Sequence, residues 1–100
     1  MVKIKAAVCH KFGAPLQIET INLREPLTGE VEVTLGAVAV CHSDISFAAG
    51  DWGGELPAVY GHEAAGFVSK TGNAVKGFEI GDRVVVTLIK SCGNCNNCLE

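Results

Sequence analysis

Residues 40–66 contain most of the side chains in this sequence that could bind a transition metal. They supply a thiol, two imidazoles, a hydroxyl and two carboxylates, namely Cys41, His42, Ser43, Asp44, His62 and Glu63. Zinc in catalytic sites takes three protein ligands from cysteine, histidine and carboxylate, and keeps a fourth position for water or substrate. From the residues alone, a metal site is no better supported than the alternative in which the cysteine is an ordinary buried apolar residue and the aspartate only begins a helix. A catalytic metal site is the chemical prediction to test.

Each residue of this stretch has a role that its chemistry permits. Cys41 and His62 are the expected metal ligands. Neighbouring side chains on a regular strand face opposite sides, so Glu63 joins His62 at one ion only if Gly61 bends the chain. Asp44 is suited to accept a hydrogen bond from the His62 imidazole. The Ser43 hydroxyl is suited to pass a proton, and the His42 imidazole could continue that relay or bind an anion.

A second group of cysteines, Cys92, Cys95 and Cys98, occurs at two-residue gaps in a segment rich in glycine and asparagine. Such spacing indicates a metal site. A structural zinc wants four ligands, and the same spacing also begins an iron–sulfur motif, so both metals stay open on the spacing alone. The remaining cysteine, Cys9, follows an apolar strand and is expected to be a small core residue.

Composition limits the class of protein. A chain of 100 residues with 48% apolar and 19% charged residues is expected to be one small globular domain with its own core. The net charge of −3 comes without a basic cluster, which argues against nucleic acid as a partner. The apolar runs are too short to cross a membrane, and residues 1–12 lack a signal-peptide core. Five cysteines without an export signal indicate a cytoplasmic, metal-binding protein rather than a disulfide framework.

The elements that must position these residues are mostly strands. Alternating or apolar segments separated by glycine and proline predict strands over 2–8, 16–23, 30–40, 64–69 and 83–90. The segments 37–40 and 84–86 are fully apolar and are expected to be buried. A short helix is predicted over 43–49, capped by His42 or Ser43 and ended by Gly50, and residues 91–100 are predicted to be a polar loop. This pattern is typical of a small, partly open β-barrel.

Several motifs in order resemble one known family. They are Cys-His-Ser-Asp at 41–44, Gly-Asp-Trp at 50–52, Gly-His-Glu-Ala-Ala-Gly at 61–66, Gly-Asp-Arg-Val at 81–84 and the cysteine group at 92–98. Together they resemble the zinc-dependent alcohol dehydrogenases of the medium-chain dehydrogenase/reductase family, from about Lys5 to Glu100. The resemblance implies a GroES-like catalytic domain. It also implies that residues 1–100 are its N-terminal part, incomplete at the C-terminal end.

The resemblance also implies roles for individual residues. Cys41 and His62 correspond to ligands of the catalytic zinc, Glu63 to the carboxylate that ligates it in some states, and Asp44 to the partner of the histidine. Ser43 corresponds to the hydroxyl that receives the alcohol proton, and His42 to a position facing the cofactor pyrophosphate. Trp52 is expected to line the substrate pocket, although a core position is equally open. Cys92, Cys95 and Cys98 correspond to ligands of a structural zinc.

The implied reaction is hydride transfer from a zinc-bound alkoxide to NAD or NADP, or the reverse reduction of an aldehyde or ketone. The expected substrate is a small alcohol or aldehyde, and the complete enzyme is expected to be a homo-oligomer. No glycine-rich dinucleotide motif lies in a strand–turn–helix frame, so no Rossmann domain is expected within these residues. The family's third catalytic cysteine and fourth structural ligand are expected beyond residue 100, and residues 1–100 alone are predicted to be inactive.

Two alternatives are open, of which the first belongs to another class of protein. One is a non-catalytic GroES-like zinc-binding module that uses the barrel for interaction or metal storage. A hydroxyl beside the metal serves no purpose in a scaffold, so Ser43, Asp44 and Glu63 argue against it. The other is a zinc-free reductase of the same family, which the metal-ligand set of Cys41, His62 and the second cysteine group disfavours.

Overall fold

The structure, a computed structural model, describes residues 1–88, 91–92 and 95–99. It consists mostly of strands with two short helices, as predicted. In chain order the elements are β1 (Val2–Val8), β2 (Gln17–Leu23), β3 (Val31–Val38), α1 (His42–Ala49), β4 (Ala64–Thr71), β5 (Arg83–Val86) and α2 (Asn96–Leu99). The strand predicted over 83–90 ends earlier, at Val86, and its positions 89 and 90 lie outside the described residues. The predicted polar loop over 91–100 contains α2.

Strands β1 and β2 form a two-stranded antiparallel sheet whose register runs from Val2 opposite Leu23 to Val8 opposite Gln17. In β1 the alternation read from the sequence holds: Lys3 and Lys5 are exposed, and the intervening apolar side chains are partly covered. Alternation of this kind places one face of a strand in water and the other against protein.

Strands β3, β4 and β5 form a second antiparallel sheet with β4 in the middle. Leu35 pairs with Gly66, and the register shifts between Leu35 and Ala37. At Gly66 the two backbones come so close that an added Cβ would lie 2.0 Å from the carbonyl oxygen of Thr34. Only glycine fits this approach, which fixes the register that carries the ends of β3 and β4 to the metal-binding residues.

The core is smaller than the composition predicts. Of the apolar side chains that the structure describes, the fully buried ones are Val8, Cys9 and Val68. Cys9 is thus the core residue that was predicted. The radius of gyration is 15.2 Å, against about 13 Å for a compact chain of this length. The molecule is therefore open rather than close-packed.

Two apolar segments that were predicted to be buried are exposed instead. Val40, in the segment 37–40, is 78% exposed, and Val85, in the segment 84–86, is 73% exposed. The two sheets face each other across an open cleft, lined by Ile4 of β1, by Val38 and by Val86. Val40 lines this cleft and, because the sheets stand apart, meets no covering layer among the described residues. Val85 does not line it and borders instead an open groove beside Ala37 and Ala65. The partly open barrel predicted from the sequence is observed without a filled interior.

Helix α1 begins one residue earlier than predicted, and its cap differs. Cys41 occupies the N-cap position with extended backbone, and its N–H donates to the Asp44 carboxylate at 3.0 Å. His42 and Ser43 are the first helical residues, so neither is the cap. The helix ends at Gly50 as predicted, in the left-handed conformation with φ of 87°, which glycine adopts at no steric cost.

Candidate metal centre

The two ends of the 40–66 stretch meet beside the edge of the second sheet. Cys41 lies three residues after the end of β3, whereas His62 and Glu63 directly precede β4. The Ala39 N–H donates to the carbonyl oxygen of Glu63 at 2.8 Å, which holds the two chain segments side by side. One ligand atom from each of Cys41, His62 and Glu63 lies within 4.8 Å of the other two. This distance allows all three to bind a single ion.

His62 and Glu63 share this site because they are not part of a regular strand. Strand β4 begins only at Ala64. Gly61, immediately before His62, has φ of 152°, a backbone conformation that L side chains rarely adopt. The structure has neither a bend nor a turn at residues 59–63, so the bend expected at Gly61 is not observed, and what accompanies the shared site is the unusual backbone conformation of this glycine.

A short backbone bridge holds the segment that leads to His62. The Cys9 N–H donates to the Ala58 carbonyl at 2.8 Å, and the Ala58 N–H donates back to Cys9 at 3.0 Å. This isolated bridge joins the end of β1 to the approach to His62. The buried Cys9 thus contributes to the position of the site through its backbone.

Asp44 contacts both metal-binding segments. One carboxylate oxygen, Oδ2, accepts from the Cys41 N–H at 3.0 Å. The other, Oδ1, lies 3.5 Å from Nδ1 of His62, and both side chains are largely covered, with exposures of 16% and 19%. Because Nδ1 faces the carboxylate, Nε2 is the ring nitrogen left for a metal. The sequence offered two roles for Asp44, helix-start carboxylate and partner of His62, and its geometry combines them.

The Ser43 hydroxyl is unusual in its hydrogen bonding. Its oxygen is buried and has no hydrogen-bond partner among the described residues. A buried hydroxyl without a partner is costly, so such groups generally have a reason to exist. One reason is a bound group that completes the hydrogen bond. His42, one residue earlier, is exposed at the first turn of the helix.

The cysteine, histidine and carboxylate donors match the ligand types of a catalytic zinc, with room for one more ligand. The orphaned hydroxyl of Ser43, two residues after Cys41, is consistent with a bound group that donates or accepts a hydrogen bond there. The residues present therefore fit a catalytic zinc ion.

The second cysteine group also converges. The Sγ atom of Cys98 lies 3.8 Å from that of Cys92 and 3.3 Å from that of Cys95, and none of the five cysteines, all of them among the described residues, forms a disulfide bond. Thiolates around a tetrahedral zinc, with Zn–S bonds of about 2.3 Å, stand roughly 3.8 Å apart. The three side chains therefore fit one zinc ion.

The side chain of Trp52 is 60% exposed. Trp52 therefore lies outside the core, and the alternative that it is a core residue is excluded. Its ring meets Phe47 edge-on, with centroids 4.6 Å apart and an interplanar angle of 82°. Phe47 in turn stacks on Tyr60 at 5.6 Å. Sequence reasoning missed Phe47 and Tyr60, because the three aromatic positions follow no helix or strand period that would bring them together.

Two clefts open beside His62. One, of about 560 Å³, is lined by Asp44, Tyr60 and His62 and otherwise mainly by apolar side chains of both sheets. The other, of about 750 Å³, is lined by His62 and Glu63 and by residues of β4 and β5. Desolvation raises the pKa of Tyr60 above its ordinary value, and the adjacent Cys9 thiol raises it further. The Tyr60 phenol is therefore neutral at physiological pH.

Among the described residues, neither helix has the length and apolar content needed to cross a membrane.

Comparison with known proteins gives consistent results. The alcohol dehydrogenase GroES-like domain family matches residues 27–100. An alcohol dehydrogenase from Moraxella sp. (strain TAE123) is 41% identical over 99 residues, covering 96% of this chain and 29% of the relative. An NDMA-dependent alcohol dehydrogenase from Amycolatopsis methanolica is 40% identical over 97 residues, covering 97% of this chain and 26% of the relative.

A solved structure agrees with these relatives. The alcohol dehydrogenase zinc-binding domain protein from Burkholderia ambifaria superposes with a TM-score of 0.92 at 40% identity, covering 98% of this chain and 26% of that one. The chain thus spans between a quarter and a third of the length of the relatives it matches. The fold predicted from the sequence, a GroES-like open β architecture, is confirmed. The chain belongs to the family of alcohol dehydrogenase GroES-like domains.

Proposed function

We propose that residues 1–100 are the N-terminal part of the catalytic domain of a zinc-dependent alcohol dehydrogenase. The observation that carries the proposal is the convergence of Cys41, His62 and Glu63 within 4.8 Å, with Asp44 behind the histidine. The names of the relatives, which are alcohol dehydrogenases, support a small alcohol or aldehyde as the substrate.

The residues of the site have different roles in holding the metal. Cys41, His62 and Glu63 would hold the metal. Asp44 would hold the His62 ring through Nδ1, which leaves Nε2 for the ion. When bound, zinc supplies a Lewis acid and NAD or NADP supplies a hydride acceptor.

Proton movement falls to Ser43. Its buried, unpartnered hydroxyl is available to accept a hydrogen bond from the substrate alcohol and take its proton. His42, exposed at the adjacent position, passes the proton on or faces the cofactor pyrophosphate. Trp52 forms a wall of the substrate pocket. The orphaned Ser43 hydroxyl is also the feature that a non-catalytic zinc-binding module leaves unexplained.

Cys92, Cys95 and Cys98 hold a separate structural zinc. Their Sγ separations of 3.3 and 3.8 Å suit thiolates on one ion better than thiolates that each bind a different iron of a cluster. Five cysteines, all described and none in a disulfide bond, support a reducing compartment, the cytoplasm. We further propose that the complete enzyme is a homo-oligomer.

Zinc stoichiometry of the purified protein tests both sites. Cys41→Ser and Cys95→Ser, made separately, are each expected to lower the zinc content by one ion. Cys9→Ala is the matched control, because Cys9 is buried outside both ligand groups and its thiol donates to the Lys11 carbonyl. Unchanged zinc content in both cysteine variants would show that neither metal site is correctly assigned.

A further inference from the structure

Phe47 contacts aromatic rings from two separate segments of the chain. One of its neighbours is Trp52, in the loop after α1, with ring centroids 4.6 Å apart and an edge-to-face angle of 82°. The other is Tyr60, whose ring lies nearly parallel to that of Phe47 at 5.6 Å. Both geometries are favourable for aromatic pairs. Phe47 is thus the middle ring of a column of three.

The backbone after α1 delivers Trp52 to this column. The Asp51 N–H donates to the Ser46 carbonyl at 3.1 Å, and the Gly53 N–H donates to the Gly50 carbonyl at 3.2 Å. These bonds turn the chain back toward the helix, so that Trp52 returns over the Phe47 ring. Yet Trp52 remains 60% exposed, which leaves most of its ring free to contact another molecule.

Tyr60, at the other end of the column, stands two residues before the metal-binding His62. Its segment is fixed by the backbone bridge between Cys9 and Ala58, and Tyr60 lines the same cleft as His62. The column therefore leads from a firmly held segment beside the metal donors, through Phe47, to a loop whose tryptophan is mostly exposed. Displacement of Phe47 would release Trp52 while leaving His62 in place.

We propose that Phe47 is a positioning residue for substrate specificity. It fixes the Trp52 ring relative to His62, so that Trp52 acts as a rigid wall that separates alcohols by size and shape. The inference rests on the proposed function, since it takes Trp52 to face the substrate. A rigid wall discriminates between alcohols, whereas a loosened one adapts to each of them. Phe47 acts through Trp52 and does not itself touch the reacting atoms.

The test compares Phe47→Leu with the unchanged sequence, both within the complete enzyme that contains residues 1–100, and it uses two readouts. Acrylamide quenching of Trp52 fluorescence, with Trp52→Phe as the blank, is expected to increase in Phe47→Leu because the ring loses its edge contact. The ratio of kcat/KM for benzyl alcohol to kcat/KM for ethanol is expected to move toward one. The expected change is about 3- to 10-fold, which corresponds to the interaction energy of one aromatic pair. Zinc content is expected to stay the same.

A second variant keeps the inference testable if Phe47→Leu does not fold. Tyr60→Leu removes the opposite ring of the column, and the same two changes are expected from it. Phe78→Leu is the matched control, because Phe78 is a half-exposed phenylalanine near the separate 79–82 turn and no change is expected there.

Three results would overturn the inference. They are equal changes in kcat/KM for both alcohols, unchanged Trp52 quenching in Phe47→Leu and Tyr60→Leu, and an equal effect in Phe78→Leu. If the complete, unchanged enzyme that contains residues 1–100 oxidises no alcohol, the proposed function fails first. The quenching comparison then still decides by itself whether Phe47 fixes Trp52.

Discussion

Oδ1 of Asp44 lies 3.5 Å from Nδ1 of His62, and the other oxygen of the same carboxylate accepts from the Cys41 N–H. One side chain therefore holds the two proposed zinc ligands that come from opposite ends of the 40–66 stretch. It does so from the first turn of α1, where a carboxylate also interacts favourably with the helix dipole.

Asp44→Asn separates these two functions. The asparagine oxygen still accepts from the Cys41 N–H, so the helix start is kept, but the negative charge facing His62 is lost. Zinc affinity is expected to fall by about 10- to 100-fold, the usual effect of losing a partner of a metal-binding histidine. Chelator competition measures it. Asp51→Asn, in the exposed loop after α1, is the control; an equal loss there would contradict the role of Asp44.

Ser43→Ala is expected to have opposite effects on activity and stability. Loss of the hydroxyl removes the proton acceptor, so kcat is expected to fall by about 10²- to 10⁴-fold with zinc content unchanged. Because the oxygen is buried without a partner, its removal is expected to raise the free energy of unfolding by about 1 kcal/mol. Enzyme assay and urea unfolding measure the two effects. Ser46→Ala, on the same helix, is expected to change kcat little; a Ser43→Ala enzyme with normal kcat would exclude the proton-transfer role.

Gly66→Ala is expected to destabilise the protein through backbone crowding. The new methyl carbon would lie 2.0 Å from the Thr34 carbonyl oxygen, so β3 and β4 must separate. The expected loss in free energy of unfolding is at least about 2 kcal/mol, measured by urea denaturation. At Gly36 the nearest atom to an added Cβ is the Ala65 carbonyl oxygen at 3.7 Å, an ordinary contact, so Gly36→Ala is the control. Similar losses in both variants would show that the close approach at Gly66 is not the cause.

Glu25 makes stability depend on pH at the acid end. Lys70 Nζ donates to both its carboxylate oxygens at 3.1 Å, and the Met1 amino group lies at 3.2 Å. The hydrogen bond from Lys70 is the main cause that holds the pKa of Glu25 below its ordinary value, followed by that from the amino terminus. A lowered folded-state pKa means that the ionised carboxylate favours the folded state. Its contribution is present above the ordinary glutamate pKa and disappears as the pH falls through the lower folded-state pKa.

Glu25→Gln tests this dependence. A small loss of stability is expected at pH 7, shrinking as the pH falls below about 4.3 and also shrinking with added salt, because these groups are exposed. Thermal unfolding at several pH values measures it. Glu55→Gln, an exposed glutamate of the loop before Pro57, is the control. A loss that stays constant down to pH 2 would contradict the ion-pair origin.

The sequence alone predicted much of the fold, because strand alternation and glycine and proline turns are local signals. The alternating Lys3 and Lys5 identified β1, and Gly50 correctly ended α1. It could not predict that Val40 and Val85 are exposed, since apolar character shows what a side chain prefers but not whether another element covers it. Nor could it choose the helix cap, because Cys41, His42 and Ser43 are all close to the helix start and only the backbone conformation distinguishes them.

For the candidate site, the sequence by itself determined the chemistry available: a thiol, imidazoles, carboxylates and a hydroxyl, in an order that resembles one family. Only the tertiary structure decided that Cys41, His62 and Glu63 reach one point, and that Phe47 and Tyr60 stand behind Trp52. These contacts join residues distant along the chain. They depend on the pairing of β3 with β4, on the backbone conformation of Gly61 and on the backbone bridge from Cys9. The geometry of such long-range packing cannot be predicted from any local pattern of residues.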